Sequence, residues 1–279
     1  MITESYPSSK DTNGRVDYYL RFYKGMPNAY AAPFNFEMIL TDWDASLYKQ
    51  SIDYFLESLD KDELPVYTMG NHDISRLASR IGKENTKIAA MLLLTLPGLP
   101  FIYQGEEIGM EDMPIPPEKA QDPIEKNMPG KGFGRDPVRT PMQWDQSSHA
   151  GFSLSEPWLP IPNSYRDINV AEQQKDRKSL WHAYKDLIAL RKSSNALSYG
   201  SYLPLDSDNK GVLAYGRKYD DEHIIVMLNF SSKKQNISMN EKECSVLFDT
   251  SNQVSNAVFI DLSKILLDPH GGIIVRKRN

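Results

Sequence analysis

Apolar positions recur along this chain with two different spacings, and the spacing changes once. From Asp44 to Leu59 the apolar residues fall at 47, 48, 52, 55, 56 and 59, the period of a helix. Asp17 to Tyr23 predicts a shorter helix that Gly25 and Pro27 should end. Short apolar runs at Met1–Thr3, Pro33–Phe36, Leu64–Met69 and Leu99–Tyr103 predict strands. Between the last two, Glu84 to Leu96 is apolar on nearly every side. A helix of that kind must be buried or pressed against a sheet. The resulting order alternates strand and helix from one end of this region to the other, which predicts parallel strands covered by helices.

Past Tyr103 the pattern dissolves. Glu111 to Pro162 is rich in Pro, Gly and Asp and has little periodicity. An irregular stretch of about 50 residues is rare inside a domain unless it has a function. Asn169 then reads as the N-cap of one long helix reaching Leu190, with Arg191-Lys192 suited to the negative end of its dipole. Beyond Asn195 the period becomes that of strands. Val212–Tyr215, Ile224–Phe230, Ser245–Phe248, Ala257–Ile260 and Ile273–Val275 are separated by Asp, Asn, Gly and Ser turns, the pattern of a small antiparallel β domain. The change of composition lies between Asn195 and Tyr202.

Composition narrows the classes. In 279 residues, 37 acidic side chains outnumber 32 basic ones, for a formal charge of −5. A nucleic-acid binder usually carries a basic surplus, so no nucleic-acid partner is expected. Cys244 is the single cysteine, which excludes an internal disulfide and a thiolate zinc site and leans towards a reducing compartment. The longest apolar stretch, Ile88 to Tyr103, is broken by Pro97, Gly98 and Pro100 and is short for a membrane span, so no membrane partner is expected. The first ten residues lack the basic start and apolar core of a signal peptide.

In parallel α/β folds ligands bind at the carboxyl ends of the strands. The polar residues just after the expected strands are Glu4, then His72 and Asp73, then Glu106 and Glu107. Carboxylates beside aromatic residues are the equipment of sugar hydrolysis. Each residue also has a plainer explanation. Asp73 could cap the next helix, His72 could be structural, and Glu106 and Glu107 could form a solvated turn.

Several segments belong together: Ile2-Thr3-Glu4-Ser5-Tyr6, Pro33-Phe34-Asn35-Phe36, Gly70-Asn71-His72-Asp73 with Arg76, Leu93-Leu94-Thr95-Leu96-Pro97-Gly98, and Tyr103-Gln104-Gly105-Glu106-Glu107-Ile108-Gly109-Met110. The run from Gly134 through Arg139-Thr140-Pro141-Met142-Gln143-Trp144-Asp145 is the most distinctive. Taken together they resemble the α-amylase superfamily, glycoside hydrolase family 13, and most of all its α-glucosidase and oligo-1,6-glucosidase branch. The resemblance covers nearly the whole chain, in order.

That resemblance implies an α/β fold: the C-terminal half of a TIM (β/α)8 barrel, strands five to eight, followed by a small antiparallel β-sandwich domain. Residues 1–196 would be the partial barrel with its long loop at 111–165, and residues 197–279 the β domain. It implies a retaining α-glucosidase acting on α-linked oligosaccharides of the maltose or isomaltose type. Glu4 resembles the general acid/base, partly buried beside a second carboxylate. Asp73 resembles the carboxylate that grips sugar hydroxyls in the transition state, and His72 and Arg139 resemble residues that touch the same sugar. The nucleophile, an aspartate in a Gly-x-Arg-x-Asp setting, has no counterpart among the 279 residues. A full barrel takes ~250 residues, more than precede the β domain here. The chain is therefore expected to be a fragment, inactive alone, its start an internal methionine. The family's N-terminal calcium loop is also absent, and no cofactor or metal is expected. A transglycosylase or isomerase of the trehalose synthase or sucrose isomerase type shares these motifs. The non-catalytic heavy subunits of amino-acid transporters are a further alternative. The expected localisation is cytoplasmic.

Overall fold

Four short strands run parallel, side by side in chain order. They are β1 (Ile2–Thr3), β2 (Ala32–Asn35), β3 (Val66–Thr68) and β4 (Leu99–Phe101). Ile2 lies opposite Ala32, Phe34 opposite Val66, and Val66 opposite Leu99. The structure is a computed structural model and describes residues 2–24, 32–60, 62–251 and 259–278. All of β3 is buried, whereas Leu99 and Phe101 of β4 are exposed, as expected for inner and edge strands.

The strands are joined by α1 (Thr12–Lys24), α2 (Glu37–Leu40), α3 (Ala45–Ser58), α4 (Leu77–Ile81) and α5 (Thr86–Thr95). Asp44 caps α3 by accepting from the backbone N–H groups of Ser46 and Leu47, at 2.9 and 3.0 Å. The helical face expected from the sequence turns Tyr48, Ile52 and Phe55 into the core. α1 starts earlier than the sequence suggested, and the residues expected to end it, Gly25 and Pro27, lie outside the described residues. α4 is only five residues long, too short to leave a periodic signal.

The all-round apolar helix is α5, and Ile88 to Leu94 are at most 2% exposed. It packs against the C-terminal sheet: the Thr95 and Tyr215 hydroxyls share a hydrogen bond, and a Cβ added at Gly272 would meet the Sδ of Met91 at 2.8 Å. Arg191 closes the C-terminal end of α5. Its guanidinium donates to the carbonyls of Leu94 (2.8 Å), Leu96 (2.8 Å) and Gly98 (2.7 Å), groups a helix end leaves unpaired.

The long loop holds α6 (Pro123–Asn127) and several single 3-10 turns. The single long helix expected after Asn169 is instead two, α7 (Val170–Lys175) and α8 (Leu180–Ser193). Asn169 does cap the first, accepting from Glu172 N–H at 2.8 Å. The break comes from competing caps: the Asp176 carboxylate accepts from Lys178 N–H, and the Ser179 hydroxyl accepts from His182 N–H, restarting the helix. α9 (Asn195–Tyr199) follows, capped by Ser194.

The remaining strands are β5 (Ser201–Leu205), β6 (Val212–Tyr219), β7 (Glu222–Asn229), β8 (Gln235–Ile237), β9 (Cys244–Asp249), β10 (Phe259–Ile260), β11 (Ile265–Leu267) and β12 (Gly272–Lys277). Six form an antiparallel sheet in the order β10-β9-β12-β7-β6-β5, and β11 and β8 form a separate ladder. The core includes Val212, Met227, Val246 and Val275 from the sheet and Ile237 and Leu267 from the ladder. Of the expected Ala257–Ile260 strand, only residues 259 and 260 are described. β5 carries Pro204, which a sheet accepts only at an edge, and β5 is the edge. β8 and β11 have three residues each and too little alternation to be read from sequence.

The chain forms two compact units. One comprises residues 1–69, 87–101 and 186–279, the other residues 70–86 and 102–185. No helix among the described residues is long and apolar enough to cross a membrane.

Candidate active site

The chain leaves β3 through Met69 and turns at once. Asn71 is buried, and its Oδ1 accepts from the backbone N–H groups of Asp73 and Ile74, both at 3.0 Å. This side-chain turn needs only a short polar residue two places before the group it presents. It leaves His72 exposed and Asp73 half-buried. α4 begins only after Arg76, and Asp73 makes no cap to it, which removes the plainer explanation of Asp73.

Asp73 faces two guanidinium groups. Arg139 Nη2 and Arg135 Nη1 each donate to Asp73 Oδ1 at 3.1 Å. His72 Nε2 lies 3.5 Å from the same oxygen. Among the described residues Oδ2 takes no hydrogen bond, so one oxygen is committed to the arginines and the other is open to a donor. Arg139 is fixed further by donating from Nε to the His72 carbonyl at 2.8 Å.

The long loop is what delivers the arginines, and two of its aspartates hold it shut. Asp122 has a fully buried side chain and binds Arg135 three times: Nε at 2.7 Å, Nη2 at 3.0 Å and the backbone N–H at 2.8 Å. Those bonds hold the Asp122 carboxyl well below the usual carboxylate range. In return, buried Asp136 accepts from the backbone N–H groups of Gln121 and Asp122, at 2.6 and 2.8 Å. Arg76, also buried, ties the turn to the loop by donating to the carbonyls of Gln104 (2.8 Å) and Thr140 (3.3 Å).

Beside Arg139 opens a cleft of about 370 Å³ whose lining includes Gln104, Glu107, Trp144, Phe152 and Trp158. Aromatic faces with a carboxylate and a guanidinium at hand suit a ligand with both C–H faces and hydroxyl groups, such as a pyranose.

Glu106 and Glu107 are not the solvated turn that sequence allowed. Glu106 is buried, and burial pushes its carboxyl up to about 7. Glu107 is half-buried and is also raised by burial. The left-handed Gly105 and Gly109, at φ 84° and 71°, fold this segment inwards.

His72, Asp73 and Arg139 are thus brought together within one compact unit. Glu4 belongs to the other. It follows β1 directly, at the edge where the parallel strands end, and it is exposed. The partial burial expected of it is not found: among the described residues β1 pairs on one side only, with β2. Sequence reasoning also gave no role to Arg135 or Asp122. Arg135 could have been suspected from its place four residues before Arg139 in a charged run. Asp122 could not, since it lies thirteen positions along the loop from its partner.

Comparison with known proteins follows the same lines. The family model described as alpha amylase, catalytic domain, matches residues 1–200, and that described as maltogenic amylase, C-terminal domain, matches residues 203–274. The chain is 34% identical to an oligo-1,6-glucosidase of Parageobacillus thermoglucosidasius, over 68% of this chain and 38% of that protein. It is 31% identical to a salivary alpha-glucosidase of Aedes aegypti, over 99% of this chain and 49% of that protein. Among solved structures it resembles the trehalulose synthase of Pseudomonas mesoacidophila with a TM-score of 0.76 and 28% identity, over 89% of this chain and 50% of that one. The chain therefore spans half or less of the length of these relatives.

Proposed function

The chain belongs to the α-amylase family of glycoside hydrolases, in its α-glucosidase branch, and from that premise we propose that it supplies the sugar-gripping half of a retaining α-glucosidase site. The substrates would be short α-linked oligosaccharides of the maltose or isomaltose type. The observation that carries this is Asp73, with one oxygen fixed by Arg135 and Arg139 and the other open. A carboxylate so held cannot swing away and can accept sugar hydroxyls as charge builds on the ring. Retaining hydrolysis needs an acid to protonate the leaving oxygen and a carboxylate to attack the anomeric carbon, roughly 5–5.5 Å apart. Glu4 would be the acid and later the base. His72 and Arg139 would hold the same sugar as Asp73, and the cleft of Trp144 and Trp158 would take the next one.

In this proposal β1 to β4 are strands five to eight of a (β/α)8 barrel, the barrel part ends near residue 196, and residues 197–279 are an accessory β domain. No Gly-x-Arg-x-Asp segment occurs in the 279 residues, so they offer no nucleophile in that setting. Residues 1–279 alone should release no glucose from 4-nitrophenyl α-glucoside, and measurable turnover would refute that. The same chain should bind a glucose-like imino sugar, seen as NMR shifts at His72, Asp73 and Arg139. Asp73→Asn should weaken that binding by about tenfold or more, since a charge-assisted hydrogen bond is worth ~1.5–3 kcal/mol. Shifts elsewhere, or equal binding by the variant, would rule out the assignment.

A second activity is favoured by the solved relatives named as trehalulose and isomaltulose synthases. Sucrose isomerisation would use the same residues and differ in whether water or the released sugar attacks the intermediate. A cytoplasmic location is proposed from the single cysteine.

A further inference from the structure

Glu106 is a buried carboxyl that the proposed chemistry does not use. Its Oε1 accepts from the Tyr184 hydroxyl at 2.7 Å, and its Oε2 has no hydrogen-bond partner among the described residues. That second oxygen lies against the start of the Asp73 turn: a Cβ added at Gly70 would come within 3.1 Å of it. Among the described residues no cation forms an ion pair with Glu106. The Tyr184 hydroxyl from α8 and the Tyr103 backbone favour a charge there by hydrogen bonding, Glu107 on its own turn repels one, and Arg80 from α4 favours one weakly.

We infer that Glu106 is a positioning residue for the Asp73 turn: its carboxyl, anchored by Tyr184, is the support on which Gly70 rests, and a change in its charge is transmitted to Asp73. This rests on Asp73 being the sugar-gripping residue, but its test does not need sugar. A Cβ at Gly70 would sit closer to that oxygen than ordinary contact, so the carboxyl would have to give way to a side chain there. The uncharged form needs no counter-ion, whereas an ionised Glu106 would place an unpaired charge beneath the turn. Burial raises the carboxyl from the usual 4.5 to about 7. Below the unfolded value both states hold the proton. As pH rises from there and through about 7, the unfolded chain ionises first and stability is lost.

The test is an NMR titration of residues 1–279, labelled with 15N and with 13C at the glutamate carboxyls. The Glu106 carboxyl, assigned by its disappearance in Glu106→Gln, should titrate near 7. The amides of Gly70, Asp73 and Ile74 should shift with the same midpoint, and that inflection should be lost in Glu106→Gln. A Glu106 midpoint near 4.5, or amides that ignore its titration, would overturn the inference. If Glu106→Gln does not fold, Tyr184→Phe removes a hydrogen bond that favours the charged form. Its Glu106 midpoint should rise and the amide inflection should rise with it. An inflection that stays in place would also overturn the inference. Failure of imino-sugar binding would count against the proposed function and leave this coupling untouched.

Discussion

At the scale of residues, the site is an exercise in dividing labour between two arginines. Arg139 is bound to a backbone carbonyl and to Asp73, so its guanidinium remains at the surface of the cleft. Arg135 is gripped on one side by a carboxylate with no solvent exposure and reaches Asp73 with the nitrogen left over. Its planar fork is what makes both contacts possible at once, which a lysine could not do. The pH dependence of Asp122 has the opposite sign to that of Glu106. A carboxyl lowered in the folded state contributes stability above its unfolded value, ~3.9, and loses it as pH falls through that value towards its own lower one. Asp122→Asn should therefore cost about 1–3 kcal/mol at neutral pH. It should also flatten the loss of stability below about pH 4. Thermal melting of the two proteins across pH measures both effects, and parallel curves would remove Asp122 from its place as clasp.

At the scale of elements, most of what makes the parallel part is local and was legible. The helical spacing of α3, its Asp44 cap and the apolar run of β3 are properties of neighbouring residues. Pro97-Gly98, read as a stop, is a tight joint in space. Gly98 has φ 97°, and Leu99 N–H donates to the Pro65 carbonyl at 2.8 Å. A Cβ at Gly98 would collide with that same carbonyl. Gly98→Ala should thus lose at least ~1–3 kcal/mol from backbone strain alone, measured as a lower urea midpoint. An unchanged midpoint would mean that the joint can open without cost. The elements that escaped notice are the ones with little local signal. α4 has five residues, β8 and β11 have three, and the break between α7 and α8 depends on two side chains choosing caps over helix.

At the scale of the molecule, one side chain has a role out of proportion to its place in a strand. Arg217 of β6 is completely buried, and its guanidinium donates to the carbonyls of Thr95 and Gly200. Burial pushes it down to about 10, and its partners among the described residues are the helix-end and loop carbonyls, with no carboxylate. With Arg191 on the carbonyls of Leu94, Leu96 and Gly98, it fastens the C-terminal sheet to the end of α5. Arg217→Met keeps much of the volume and leaves two buried carbonyls unpaired. It should destabilise the protein by about 2 kcal/mol or more. Chemical denaturation followed by tryptophan fluorescence would show this, and a variant as stable as the parent would make the sheet an independent attachment.

The sequence by itself determined the alternation of strand and helix, the change to antiparallel strands after α9, and the family. Each depends on periodicity, turn chemistry or short motifs, which are carried by neighbouring residues. It also singled out Asp73, His72 and Arg139 as candidates, because their motifs are contiguous. Only the tertiary structure decided that Arg135 joins them, that Asp122 and Asp136 close the loop, that Glu106 is buried under the turn, and that Glu4 is exposed. Those facts depend on which residues distant in the chain share a neighbourhood and on which of them solvent can reach. Burial sets the charge a carboxyl can carry, and no spacing along a chain records it.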